Sequence, residues 1–543
     1  MTAIGLPHAI RPSTKVRTSI VPAPINGVDS RQAAGQMTPE NCLYTYNIMP
    51  SEFGMQVRNG YREWALDTVS VASLGIRSMV TFEGSDTGAA DDRLFAVTNE
   101  GIWDVTTYNV PPVLKFTFTD QSNEAGYGVQ CHYIDKGGAE FLLYADSKNG
   151  LLEYSQATDT WTDIAGITGV NTSIVCFVTV HKKRLWMIEQ NSTIGWYLAA
   201  EEKSGIATEF YFGVKFPHGG LLSALYNWTV DGGEGVDDYL VAVASSGDVI
   251  PYKGSDPENA DTWYAVGTYF IGKFPKGRRF ASEYAGNLYL LSAYGIIAMS
   301  DLLRGVDAKD IAAQSLSFKV ARQLRDRLLR TGDLYGWEMD FIPSIGSLIV
   351  TVPQDGSNQR IQMVMSLTTE GWGSWRSVPI DCFREWRGKV YFGDINNRVL
   401  VMDVFRDNVL ITPPEDIENG TPIQFSMLSS YQRYGEDGIF KQVQFIRPDF
   451  WSTSLPTFNT KALYDYDISE LTLLAFPPLS LGDVWDTARW DFAIWGGGES
   501  YGQHELRGAG GIGRSVAIAL RGETSVYFRL LSFDIMWTSG WAI

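Results

Sequence analysis

From about residue 70 to 410 the chain repeats one local pattern: a short β-rich run, a turn, and a second short β-rich run. Arg93–Val97 is followed by Asn99-Glu100-Gly101 and then Ile102–Val105, and Phe141–Ala145 by Ser147–Gly150 and then Leu151–Tyr154. The form returns at Arg184–Glu189 with Gly195–Leu198, and at Tyr239–Ala244 with Val249–Tyr252. It appears again at Asn287–Leu291 with Gly295–Met299, and at Lys389–Phe392 with Arg398–Met402. Apolar, β-branched and aromatic runs separated by Gly and Asn turns read as hairpins. Hairpins recurring at a spacing of roughly 40–60 residues suit propeller blades of about four strands. The competing arrangement, unrelated hairpins in a sandwich, does not require such recurrence. The expected fold class is therefore all-β, an irregular β-propeller of about six or seven blades.

The remainder is also β-rich. Pro413-Pro414-Glu415-Asp416 marks a linker, after which come Thr421–Ser429, Lys441–Arg447, Lys461–Asp467, Ser515–Arg521 and Ser525–Trp537. Alternation at Val516, Ile518 and Leu520, then Val526, Phe528 and Leu530, predicts a sandwich-like region with one buried face. The expected organisation is an extended arm over 1–69, a propeller over 70–410 and a C-terminal β-rich domain over 411–543. Trp485, Trp490 and Trp495 recur every five positions, a period of neither helix nor strand. The glycines at 508–513 lack the lysine of a phosphate loop and read as a flexible turn.

One segment departs from the β pattern. In Ala308–Arg330, Leu316, Val320, Leu324 and Leu328 recur at four-residue spacing, which predicts one amphipathic helix. Lys319, Arg322, Arg325, Arg327 and Arg330 make it the only dense basic patch, and so the candidate assembly interface. The acidic stretch Asp231, Glu234, Asp237 and Asp238, with its glycines, reads as a long solvent loop and a candidate lumen or tip position.

The 543 residues carry a net charge of −18, which disfavours ordinary DNA binding through phosphate contacts. An acidic surface suits a particle component, or a lumen through which DNA slides. The four cysteines, Cys42, Cys131, Cys176 and Cys382, form no CxxC pair and read as reduced thiols of a protein folded in cytoplasm. Neither a signal peptide nor a membrane span is expected. The five histidines form no metal-binding pair, and no GxSxG elbow or GxGxxG turn is present. The reading is a non-enzyme with no cofactor, no metal and no catalytic residues.

The stretch Pro22–Ala65 opens with Pro-Ala-Pro-Ile-Asn-Gly, passes through Tyr44–Pro50 and closes on Val57-Arg58-Asn59-Gly60-Tyr61. It resembles the start of tail-tube and tail-nozzle proteins of short-tailed bacteriophages, where a similar run precedes a β-propeller. Ser292–Asp403 is similar to later blades of packaged-DNA stabilisation proteins of such phages: Gly295–Ala298, Asp301-Leu302-Leu303, the helix, Ser347–Val352 and a Trp372–Trp375 turn. The resemblance implies a virion structural protein, a homohexameric ring below a portal-adaptor ring that also meets tail fibre or needle proteins. Its channel would retain packaged double-stranded DNA and pass it at ejection. Two other readings stand beside it. A propeller glycosidase or depolymerase would need two convergent carboxylates in a central pocket. A receptor-binding tail module would need exposed aromatic platforms.

Overall fold

The computed structural model describes residues 16–85, 90–231, 236–305, 308–354, 361–411, 419–435, 437–453, 456–472, 500–503 and 507–539. The chain divides into two compact units, one formed by 59–422 and the other by 1–58 together with 423–543.

Seven small antiparallel sheets follow one another along 59–422, and they are the blades of a propeller. Blade 1 is Ser78–Phe82, Arg93–Val97, Gly101–Asp104 and Val113–Thr117; blade 2 is Val129–Ile134, Glu140–Asp146, Gly150–Ser155 and Thr160–Asp163. Blade 3 is Val175–His181, Arg184–Glu189, Ile194–Tyr197 and Thr208–Tyr211. Blade 4 is Leu222–Asp231, Val236–Ala244 and Asp248–Lys253, edged by Tyr264–Ala265 and Tyr269–Phe270. Blade 5 has three strands, Ala281–Tyr284, Asn287–Ser292 and Gly295–Ala298, followed by helices. Blade 6 is Glu338–Ile342, Ser347–Thr351, Ile361–Ser366 and Trp372–Arg376. Blade 7 takes Cys382–Trp386, Lys389–Gly393 and Val399–Val404 from late in the chain, and Gly60–Glu63 from early in it. First strands pack side by side between blades 2 and 3, 3 and 4, and 5 and 6, and that of blade 7 packs against that of blade 1, closing the ring. Aromatic and aliphatic side chains fill the space between blades, as in the cluster of Phe82, Phe95, Leu142, Tyr154 and Trp161.

In blades 1 to 4 a polar contact recurs between the end of the second strand and the start of the third. A side chain there accepts a backbone N–H from the segment leading into the blade's first strand: Asn99 from Leu74, Asp146 from Gly126, Glu189 from Asn171, and Asp248 from His218, at 2.8–3.0 Å. These carbonyl and carboxylate oxygens satisfy loop donors that packing would otherwise leave unpaired.

Two expectations are corrected here. The helix expected over 308–330 is broken: Ala308–Gln314 and Ala321–Thr331 are separated by a turn at Ser315–Ser317 and a short 3₁₀ segment, Phe318–Val320. Leu316 donates to the Ile296 carbonyl, and the buried Ser317 hydroxyl accepts from the Ile296 N–H, so this turn pairs with blade 5 instead of continuing the helix. The expected Trp372–Trp375 turn is a strand, paired Trp372 to Met365 and Trp375 to Gln362.

The second unit is a β-sandwich. One sheet contains Val16–Pro22, Ile48–Ser51, Gly54–Val57, Lys441–Ser452, Ser500–Gln503 and Phe528–Ser539; the other contains Gly27–Val28, Asn41–Tyr46, the strand ending at Ser429, Val516–Thr524 and Thr457–Tyr464. Val443, Ile446, Phe450, Leu530, Phe533 and Ile535 of the first face Phe425, Met427, Phe458, Ile518 and Leu520 of the second. The segment expected as an extended arm over 1–69 thus belongs to this sandwich over 16–58 and to the propeller from residue 59. Strand Val516–Thr524 is buried on both faces, since Ala517 and Ala519 pack with Leu428, Tyr431 and Leu463. In Phe528–Ser539 a register shift opposite Asp449 and Phe450 changes the alternation, so Leu530 and Phe533 both face the core. The glycine-rich stretch is not a free turn: Arg507–Gly508 pairs with Lys441–Ser452, and Gly513 exchanges backbone hydrogen bonds with the fully buried Lys441 at 2.7 and 3.1 Å. The Trp485–Trp495 repeat lies outside the described residues.

Candidate functional site

The run Lys276-Gly277-Arg278-Arg279 leads into the first strand of blade 5, on the propeller axis. Arg279 bridges Glu338 as a parallel neighbour, with the Met339 N–H donating to the Arg279 carbonyl at 2.9 Å. Glu338 and Asp340 stand two residues apart on the first strand of blade 6, hence on the same face. First strands from all seven blades enclose a cavity of about 190 Å³, whose charged lining is Arg278, Arg279, Glu338, Asp340 and Arg384.

The charges are largely paired. Arg279 Nη1 lies 3.3 Å from Glu338 Oε1, and its Nη2 donates to the Arg77 carbonyl at 3.0 Å. The Phe383 N–H donates to Glu338 Oε2 at 3.2 Å. Asp340 accepts from the Ser282 hydroxyl at 2.6 Å and lies 3.5 Å from Arg384. Burial pushes the Glu338 carboxyl above its ordinary value, against the pull of Arg279 and of the Phe383 N–H. Burial opposes the Arg279 charge, and its surroundings, Glu338 foremost, more than offset that and hold its pKa above the ordinary value. Among the described residues Arg278 has no carboxylate partner; its side chain meets the Cys176 thiol, its Nε is buried without a hydrogen bond, and its carbonyl accepts from the Tyr226 hydroxyl at 2.6 Å.

A second cavity of about 390 Å³ opens beside the axis, lined by segments that lead into first strands and that follow second strands. Tyr127 and Tyr335 stack at 5.2 Å in it; the Arg77 guanidinium lies 4.7 Å from the first ring and the Lys276 ammonium 4.3 Å from the second. Glu124 holds Lys276 at 2.8 Å and Lys148 at 3.1 Å.

The structure brings together only part of the expected basic patch. Arg322, Arg325 and Arg330 are exposed on helix Ala321–Thr331 and make no ion pair among the described residues, with Leu329 76% exposed between them. Lys319 lies in the preceding 3₁₀ segment, and it and the half-buried Arg327 each have a partner within the chain. The expected acidic loop is shorter than its sequence suggests. Asp231 ends one strand of blade 4 opposite Val236, Asp237 lies opposite Val230, and Glu234 falls outside the described residues. Asp238 is in the hairpin, paired with Lys182 and Thr229 strongly enough to hold its carboxyl below the usual range despite burial. Among the described residues no group of three His, Cys, Asp or Glu side chains is arranged to hold a metal, and no helix is long and apolar enough to cross a membrane. The four cysteines are free thiols, three of them buried.

Sequence reasoning missed Arg278, Arg279, Glu338, Asp340 and Arg384. The available signals were four residues with three cations directly before a β run, and two acids at strand spacing in an otherwise apolar segment.

These features define an all-β protein in which a seven-bladed propeller is joined to a sandwich. No protein-family model and no curated protein matches the chain. Its structure is similar to the computationally designed Ika8 protein at 9% identity, with 63% of this chain and 99% of that one covered and a TM-score of 0.33. It is likewise similar to the WD40 β-propeller domain of Doa1, at 11% identity, 63% and 97% coverage and a TM-score of 0.35.

Proposed function

We propose that the chain is a structural subunit of a short virus tail, the nozzle that forms a ring below the portal adaptor. In that role it retains packaged DNA, serves as conduit at ejection, and meets tail fibre or needle proteins. It folds in the host cytoplasm and works in the virion without covalent chemistry. The observation that carries this reading is the Pro22–Tyr61 run feeding directly into the closing strand of a propeller. Its residues act as architecture: Asn47, at a positive φ of 60°, accepts from the buried Arg58 at 3.0 Å, and Tyr61 packs edge-on to Phe392 at 5.6 Å.

The propeller axis is not the conduit. A cavity of about 190 Å³ is far too small for a duplex whose major groove alone is ~12 Å wide. DNA would pass through the space enclosed by a ring of copies, with the wall predominantly acidic or neutral, as 62 acids against 44 Lys and Arg favour. The exposed Arg322, Arg325 and Arg330 would dock on an acidic neighbour in that ring. Mass spectrometry and imaging of particles test the reading. Six copies in a ring at the tail base support it, and a chain absent from particles overturns it.

A propeller glycosidase has one observation in its favour, the carboxylates Glu338 and Asp340 in the axial cavity. Both are engaged by guanidinium, hydroxyl or backbone donors, and the cavity is below the ~300 Å³ of ordinary ligand pockets. Reducing-sugar release from envelope polysaccharide that is abolished by Glu338→Gln would establish the enzyme instead.

A further inference from the structure

We infer that the axial cavity is a binding site for a small oxyanion, held by the guanidinium of Arg278. The inference is independent of the nozzle reading. Three guanidinium groups and two carboxylates line the cavity, and the carboxylates are already matched one to one, Glu338 with Arg279 and Asp340 with Arg384. Among the described residues Arg278 is left without a carboxylate: its side chain meets only the neutral Cys176 thiol, and its buried Nε has no hydrogen-bond partner. An arginine keeps its charge, and the half-buried Arg278 presents that charge at the cavity, where an oxyanion would meet it.

The geometry suits this ligand. The Tyr226 hydroxyl fixes the Arg278 backbone, so the side chain starts from a held position. Thr179 lines the same cavity and offers a neutral hydroxyl to a ligand there. A volume of about 190 Å³ equals roughly six water molecules at ~30 Å³ each, enough for a phosphate or a short carboxylate with its waters and too little for a sugar chain. The planar guanidinium fork matches two oxygens of such an anion.

The test is binding of inorganic phosphate and of acetate to the full chain, at ionic strength held constant with chloride, followed by calorimetry and thermal unfolding. The expected result is saturable binding of at least one oxyanion, weakened roughly tenfold or more in Arg278→Gln, and unchanged in Arg322→Gln/Arg325→Gln. A wild-type chain that binds neither anion saturably, or an Arg278→Gln variant that binds as well as wild type, overturns the inference. Should Arg278→Gln fail to fold, wild-type crystals grown with selenate decide the matter: anomalous density beside Arg278 supports the site, and a cavity without it removes the site.

Discussion

Arg62 and Asp403, 341 residues apart in the sequence, meet in a bidentate ion pair at 2.8 and 2.9 Å where the propeller ring closes. Their strands pair directly beside them, Val401 opposite Arg62 and Leu400 opposite Glu63. Lys389 adds a third donor at 2.8 Å. The seam is therefore fastened by charge as well as by the backbone ladder.

Asp403→Asn should destabilise the propeller by about 1–3 kcal/mol, since two charged donors lose their carboxylate and one of its two acceptor oxygens at a mostly buried position. Lys389→Ala, at a site 45% exposed, should cost less than ~1 kcal/mol. Burial alone would raise the Asp403 carboxyl, but the hydrogen bonds from Arg62 and Lys389 hold it below its ordinary 3.8. Its contribution is thus complete above pH 3.8 and is lost as pH falls through the lower folded value. Urea unfolding of wild type and variants across the acid range measures both effects.

Gly60→Ala should open the same seam. A Cβ on Gly60 would lie 2.1 Å from the Arg406 carbonyl oxygen and 2.4 Å from its carbon, and neither can move without shifting a strand. The expected loss is about 1–3 kcal/mol, with faster proteolysis near residue 60. Wild-type stability in the variant would show that the closing strand tolerates displacement.

His181 should make stability pH-dependent. Burial lowers its pKa from 6.5, opposed by its 2.7 Å contact with Asn227. Because the folded state binds that proton less well than the unfolded chain, stability is full above pH 6.5 and declines as pH drops toward the depressed folded value. His181→Gln should flatten this decline in the urea midpoint between neutral and mildly acidic pH. An unaltered slope assigns the decline to other groups.

Charge reversal at Arg322 and Arg325 should weaken ring assembly more at low salt than at high salt, because the docking force is screened. Both residues are exposed and unpaired among the described residues, so the monomer should keep its stability within ~0.5 kcal/mol. Normal assembly of the doubly reversed chain at low salt would make the patch an ordinary solvated helix face. Mass photometry over a salt series reads the outcome.

The hairpins of blades 1 to 5 and blade 7 were legible because Gly and Asn turns interrupt apolar runs at strand spacing, as at Asn149-Gly150. The closure of blade 7 was hidden because its fourth strand, Gly60–Glu63, lies far from the others in sequence, and periodicity reports only local order. The helix break was hidden for a different reason. Leu316 fits the four-residue pattern, while the preference of Ser315 and Ser317 for pairing with blade 5 depends on a tertiary partner. The axial charges escaped notice because Arg279 and Glu338 become neighbours only once blades 5 and 6 stand side by side.

The sandwich is interrupted in sequence by the whole propeller: residues 16–58 supply some strands and 423–539 the rest. On the ribosome the early strands therefore emerge long before their partners exist. Strand Val16–Pro22 must wait for Phe528–Ser539, and until then its backbone donors and acceptors form an open edge. Synthesis of this protein thus carries a long interval of exposure to mispairing between nascent chains, and slowed translation beyond residue 422 would lengthen it.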